Sequence, residues 1–261
     1  MAGGRLGGGD SMSAAIQLHD LTLTYDRRPA VHHVSGSFAS GSLTAIVGPN
    51  GAGKSTLIKA LVGLMKPAAG QIRHGRLGPR SIGYLPQAAE IDRSFPLSVA
   101  DTVAMGAWAS MGAWRGLTRS QAQRGADALA AVGLEGFAGR SVGSLSAGQF
   151  QRVLFARLLL QDCQVIVLDE PFTAIDARTT EDLLTLVRDW HGQGRTVIAV
   201  LHDLEQVQAH FPETLLLARS AIAWGDTATV LSPDNLQRAR RMSEFWQPGS
   251  VPCAVVQGGV R

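Results

Sequence analysis

Between the apolar run Leu43-Thr44-Ala45-Ile46-Val47 and the helically spaced Leu57, Ile58, Leu61 and Leu64 stands the octet Gly48-Pro49-Asn50-Gly51-Ala52-Gly53-Lys54-Ser55. Strand, glycine turn and helix in that order give the pattern G-x-x-x-x-G-K-[ST] the context its chemistry requires. Glycines let the backbone curl so that successive N–H groups converge on phosphate oxygens, and the positive end of the following helix adds to them. Lys54 is placed to reach the β and γ oxygens of a nucleotide and the Ser55 hydroxyl to ligate Mg²⁺, with Thr56 closing the cradle.

A second apolar run, Val165-Ile166-Val167-Leu168, leads straight into Asp169 and Glu170 about 115 residues after the loop. A buried strand delivers the first carboxylate to the metal. The next residue lies on the opposite side of the pleat, where it can face the γ-phosphate and polarise water. Two functions need two carboxylates, and both are present.

Around these motifs the chain alternates. Ile16 to Tyr25 and Val31 to Phe38 read as strands joined by a polar turn containing Pro29, an antiparallel β piece at the edge of the domain. Tyr84-Leu85-Pro86-Gln87 reads as a turn. From about 97 to 160 strand signals vanish: Thr118 with Gln121 forms a capping box, Leu129 and Val132 continue an apolar stripe, and Gly133 stops it. Alternation then resumes, with helices expected over 177–191, 203–210 and about 232–241, and strands over Thr196 to Leu201 and Leu215 to Leu217. The expected fold is α/β, a mainly parallel sheet covered by helices. Residues 1–14, Gly-rich and without periodicity, are expected to be a disordered leader, with the main domain over 15–245 and a tail over 246–261.

Composition narrows the partners. Of the 24 basic residues all but Lys54, Lys59 and Lys66 are arginine, and they are dispersed, whereas a nucleic-acid binder gathers them on one face. No nucleic-acid partner is expected, and the one basic cluster, Arg238-Ala239-Arg240-Arg241, reads as a solvated helix end. No run approaches the ~18 to 20 apolar residues of a bilayer span, and the first residues lack the apolar block of a signal peptide, so a cytosolic chain is expected. Cys163 and Cys253 match no metal spacing and are expected to be free thiols. His32 and His33 are expected to alternate faces of a strand and so not to share a metal.

Leu145-Ser146-Ala147-Gly148-Gln149-Phe150-Gln151-Arg152, just before a helix, resembles the LSGGQ-x-QR signature of the ATP-binding subunits of ABC transporters. The resemblance spans roughly residues 16 to 240 and implies a P-loop NTPase core, an antiparallel β subdomain and a helical signature subdomain at about 97–160. It implies that Ser146, Ala147, Gly148 and Gln149 face the ATP held by a second copy, so each site is built by a homodimer. Ala147 stands where the family usually has glycine, which matters only if that position needs a positive φ. Tyr25 resembles the aromatic that stacks on adenine, Gln87 the glutamine that reaches Mg²⁺ and the attacking water, Asp176 the aspartate that communicates across the dimer, and His202 the switch histidine at the γ-phosphate.

The resemblance also implies a separate membrane permease, fed by a substrate-binding protein. The stretch with Asp92, Phe95-Pro96, Val99, Asp101, Val103 and Met105-Gly106, followed by Gly-Ala-Trp-Arg-Gly-Leu-Thr, is similar to importers of manganese or zinc; iron-siderophore, cobalamin and heme importers and non-transport relatives stand as alternatives. Asp92 and Asp101 offer too few oxygens for a hard cation. They read as a turn residue and a helix N-terminal residue near Ser98.

Overall fold

The computed structural model describes residues 14–25, 28–78, 80–108 and 117–245. Residues 1–13 of the expected leader, the tail with Cys253 and most of the Gly-Ala-Trp-Arg-Gly-Leu-Thr stretch lie outside them, while Ala14, expected to end the leader, begins a strand.

Three strands, β1 (Ala14–Tyr25), β2 (Arg28–Ala39) and β4 (Ala69–Arg73), form an antiparallel sheet in the order β2-β1-β4. Six form the main sheet, in the order β5-β6-β7-β3-β8-β9: β3 (Leu43–Val47), β5 (Ile82–Leu85), β6 (Val165–Asp169), β7 (Thr196–Val200), β8 (Glu213–Ala218) and β9 (Ser220–Asp226). Its pairs are parallel except β8 with β9, so only one edge runs against the rest. The continuous apolar composition of β3, β6 and β7 has its reason in this position, because every one of their residues is buried.

Alternate side chains of these strands serve two cores. Ala45, Val47, Leu168 and Ala199 face a helical layer with Phe150, Leu154 and Trp190. Ile46, Val167, Ile198 and Val200 face the other way, onto Leu57, Ile58 and Leu61 of α1 (Lys54–Leu61) and onto Leu21, Leu23 and Val34 of the antiparallel sheet. Trp190 is fully buried and stacks on Phe155 with ring centroids 5.6 Å apart, a site where truncation to Ala costs about 3–5 kcal/mol.

The helical layer contains α2 (Val99–Ala104), α3 (Arg119–Ala131) and α4 (Ala147–Gln161), and further on α5 (Ala177–Gly192), α6 (Leu204–His210), α7 (Thr227–Val230) and α8 (Pro233–Phe245). Thr118 caps α3 reciprocally with Gln121, and Gly133 follows its end at φ 68°. The segment preceding α2 is laced to the chain ahead of α4: Val142 N donates to Leu97 O at 3.0 Å and Val99 N to Arg140 O at 2.9 Å. Asp92 closes a turn by accepting from Ser94 N, and Asp101 and Ser98 cap α2 reciprocally; those bonds hold both carboxyls below the ordinary aspartate range.

Several local expectations are corrected. Tyr84-Leu85 is the end of β5 rather than a turn, and β4 and β9 are strands the pattern did not announce. Pro29 lies inside β2, paired with Thr24. Helix α1 stops at Leu61, and Leu64, past Gly63 at φ 80°, is 67% exposed. His32 and His33 do not diverge: His33 has φ 50°, the ladder shifts register nearby, and the two rings meet edge to face at 4.3 Å.

Candidate functional site

The C-terminal ends of the parallel strands β3, β5, β6 and β7 deliver four segments to one edge of the sheet, the place where open α/β sheets hold ligands. After β3 comes the Gly48–Ser55 loop. Gly53 is the N-cap of α1 at φ 93°, and a Cβ there would lie 2.3 Å from the Ala30 carbonyl oxygen, so both conformation and space require glycine. Asn50 and Gly51 are exposed, Ala52 is buried and its carbonyl accepts from Arg219 N, and Thr56 is buried in the first turn of α1. Lys54 is buried and donates to the carbonyls of Gly48 at 2.8 Å and Pro49 at 3.1 Å. Burial pulls its ammonium below the ordinary lysine range, against the opposing pull of Glu170 and Asp169.

Strand β6 ends on Asp169, 1% exposed, whose Oδ1 accepts from Ser55 Oγ at 3.2 Å. Its other oxygen, Oδ2, is buried without a hydrogen-bond partner. Desolvation raises this carboxyl to about 6, the Ser55 bond opposing it. A buried carboxylate with Oδ1 beside a hydroxyl at a helix N-terminus is a donor set of hard oxygens that fits Mg²⁺, a cation that keeps much of its water. Ser55 and Asp169 are therefore the residues that could hold it.

The next residue, Glu170, has φ 50°, an uncommon conformation for a non-glycine residue that turns it out of the strand. Its Oε2 accepts from Gln87 Nε2 at 2.9 Å and from Thr173 Oγ1 at 3.3 Å, and Oε1 lies 2.5 Å from His202 Nε2. Gln87, at the exit of β5, and His202, after β7, thus meet on one carboxylate, and Gln87 engages Glu170 rather than the Ser55–Asp169 pair. Glu170 and His202 line a cleft of about 630 Å³ together with Phe172, Thr173 and Asp203. A carboxylate held by an amide and an imidazole at the lip of a phosphate cradle is arranged to orient water as a general base.

Tyr25 is 49% exposed and lines a separate cleft of about 500 Å³ with Arg28, Pro29, Ala30, Gly51 and Arg219. Arg219, φ 62°, donates to Pro29 O and was not singled out from the sequence.

The signature residues stand elsewhere. Ser146 caps α4 reciprocally with Gln149: Ser146 Oγ accepts from Gln149 N at 3.2 Å and Gln149 Oε1 accepts from Ser146 N at 3.1 Å. Ala147 is the first residue of α4 and does not have positive φ, so its methyl group meets no conformational penalty. Gly148 lies near Asp176, which caps α5 by accepting from Thr179 N and Oγ1, both at 2.8 Å, bonds that hold its carboxyl below the usual range. Among the described residues, the hydrogen bonds of Ser146, Gln149 and Asp176 stay within their own helix starts and do not run to Lys54, Asp169 or Glu170.

Helix α4 carries contacts that motif reading passed over. Gln151, buried, donates to Pro171 O at 2.8 Å, directly after Glu170. Arg152 reaches Val132 O, Thr179 and Asp182; Arg157 donates to Tyr84 O at 2.8 Å. Arg93, from the segment before α2, donates to the carbonyls of Val142 and Leu145 and lies 4.9 Å over the Phe150 ring. No helix among the described residues is long and apolar enough to cross a membrane.

A family model described as ABC transporter matches residues 31–173. The zinc transport system ATP-binding protein TroB of Treponema pallidum is 39% identical over 229 residues, covering 86% of each chain. The manganese transport system ATP-binding protein MntB of Listeria monocytogenes is 36% identical over 228 residues, 86% of this chain and 95% of that one. Among solved structures, an ABC transporter in an inward-facing conformation aligns at TM-score 0.78 and 32% identity, covering 88% of this chain and 90% of that one. A dimeric bacterial ABC transporter cassette aligns at 0.72 and 25%, covering 81% and 98%.

Proposed function

Because this chain belongs to the ABC transporter family, we propose that it is the ATP-hydrolysing subunit of a divalent-metal importer for manganese or zinc. It works as a homodimer on the inner face of a membrane, docked on a separate permease that a substrate-binding protein supplies. Residues 15–245 are its ATPase unit, with the helical subdomain at about 97–160 and flanking segments 1–14 and 246–261. The observation that carries the reading is the convergence of Gln87 and His202 on Glu170 at 2.9 and 2.5 Å, beside the Lys54, Ser55 and Asp169 cradle. The named metals rest on the zinc and manganese relatives, which cover most of the chain.

ATP lies with its phosphates on the backbone N–H groups of the Gly48–Thr56 loop, Pro49 excepted, and its base on Tyr25. Ser55 and Asp169 would hold Mg²⁺, which would neutralise charge on the phosphates. Glu170 takes the proton of the attacking water while Gln87 and His202 fix its carboxylate, and Lys54 stabilises charge on the γ-phosphate. The second copy supplies Ser146, Ala147, Gly148 and Gln149, whose position away from their own chain's cradle suits that role, and Asp176 lies beside them for contact across the dimer. ATP's preference for the closed dimer drives the change in the attached permease.

Accumulation of manganese, zinc and iron, measured together in cells with the complex and with its Glu170→Gln form, tests this. Loss of manganese or zinc uptake alone is expected; unchanged uptake of both metals overturns the reading.

A further inference from the structure

Two buried polar atoms near the cradle have no hydrogen-bond partner: Asp169 Oδ2 and the Tyr84 hydroxyl. Such orphans are uncommon in native interiors, and each calls for a physical account. Their backbones show why they belong together. In the parallel ladder Tyr84 pairs with Val167, and Asp169 lies two residues further along β6, so Tyr84 and Asp169 are diagonal neighbours on one face, about 7–8 Å apart at the backbone and within reach of an aromatic side chain. That face packs on α1, which carries Ser55.

The other donors nearby are committed. Lys59 is held by Glu90 at 2.8 Å, Lys54 by the Gly48 and Pro49 carbonyls, and Ser55 already donates to Oδ1. Tyr84 itself is anchored from behind, since Arg157 holds its carbonyl at 2.8 Å. A carboxylate that ligates a cation is itself oriented by hydrogen bonds to its other oxygen.

We propose that Tyr84 is a positioning residue for the metal carboxylate, its hydroxyl supplying the hydrogen bond that Asp169 Oδ2 lacks, directly or through one water, when Mg²⁺ and ATP are bound. Tyr84 touches neither ATP nor the attacking water; it acts through Asp169. The inference rests on the reading of Ser55 and Asp169 as the Mg²⁺ site.

The test is Tyr84→Phe, compared with the natural residue in a Glu170→Gln background that stops turnover. Two quantities are read: thermal stability in EDTA without nucleotide, and ATP binding titrated with MgCl₂. Removing an unpaired buried hydroxyl leaves the nucleotide-free protein as stable as before or more so. The Mg²⁺ concentration for half-maximal ATP binding rises about 10-fold, the effect of one lost hydrogen bond to a charged acceptor, and ATP binding in EDTA is unchanged. An unaltered Mg²⁺ midpoint overturns the proposal. So does equal loss of stability with and without MgATP, which is the mark of a packing role. Absence of Mg²⁺-dependent ATP binding with Tyr84 in place is a different failure, one that removes the Mg²⁺ site itself.

Discussion

Replacing Asp169 by Asn should make the nucleotide-free protein more stable while disabling it. Asp169 is 1% exposed and one of its oxygens has no partner, so the folded state holds its carboxyl at about 6 against 3.8 in the unfolded chain. The folded pKa is the raised one. This group's contribution is therefore fully present below pH 4 and is lost as pH rises through about 6. At about 1.4 kcal/mol per unit, the ionised carboxylate costs the fold about 3 kcal/mol at neutral pH relative to its protonated form. Asn carries no charge and keeps an oxygen for the Ser55 bond, but it places an amide nitrogen where Oδ2 was, which costs about 1–3 kcal/mol if it stays unpaired. That amide cost is independent of pH, so the difference between the two proteins isolates the charge. Urea unfolding in EDTA, without nucleotide, should show the variant gaining about 3 kcal/mol on the natural protein between pH 4 and pH 7.5. A stability difference that stays constant across this range would refute the reasoning, because it would mean that burial does not penalise the Asp169 charge. Saturating MgATP should reverse the ranking at neutral pH, since only the carboxylate gains from the cation.

Glu170→Gln should keep ATP binding and lose about 10²- to 10⁴-fold in hydrolysis rate; near-normal steady-state ATPase would remove Glu170 from its role. Ser146→Arg on one chain of a mixed dimer should impair the site on the other while costing its own helix about 1 kcal/mol of capping. Full-rate hydrolysis at both sites of such dimers would refute the shared site. Gly51→Ala and Gly53→Ala both place a side chain at positive φ, for about 1–2 kcal/mol, but nothing lies within 4 Å of a Cβ at Gly51, whereas at Gly53 the Ala30 carbonyl is 2.3 Å away. Thermal melts should therefore separate the two, with Gly53→Ala much the worse; equal shifts would mean that the loop yields at Gly53.

The strands that carry chemistry were legible because they are buried on both sides: β3, β6 and β7 are almost wholly apolar, and each runs within two residues into a motif residue, Gly48, Glu170 or His202. Three of the edge strands were not. Ala69–Arg73 and Ser220–Asp226 are half exposed along their length, so hydrophobicity marks them weakly, and Ile82–Leu85 is only four residues long. Leu64 continued the helical spacing of α1 yet lies in solvent, since Gly63 ends the helix first. The histidine pair misled for a related reason: period-two alternation presumes an unbroken ladder, and His33 and Asp20 both have positive φ at a register shift. At the site, motif spacing named the residues but not their partnerships. Nothing in the sequence shows that Gln87 binds Glu170, that Glu170 leaves the strand at φ 50°, or that Asp169 keeps one oxygen unpaired. Those depend on where strand ends fall relative to one another, which is a property of the assembled sheet.

Helix α4 is tied at its start and along its side: by Arg93 to the chain just ahead of Ser146, by Gln151 to Pro171, by Arg152 to Asp182 on α5, and by Arg157 to Tyr84 of the strand that leads to Gln87. Three of these ties end on backbone carbonyls, those of Leu145, Pro171 and Tyr84, and the fourth on the Asp182 side chain of α5. Residues 91–97, the chain ahead of Ser146 and the Glu170-Pro171 turn are thereby tied to a single helix, so the spacing between the signature and the carboxylate turn is set by α4 itself.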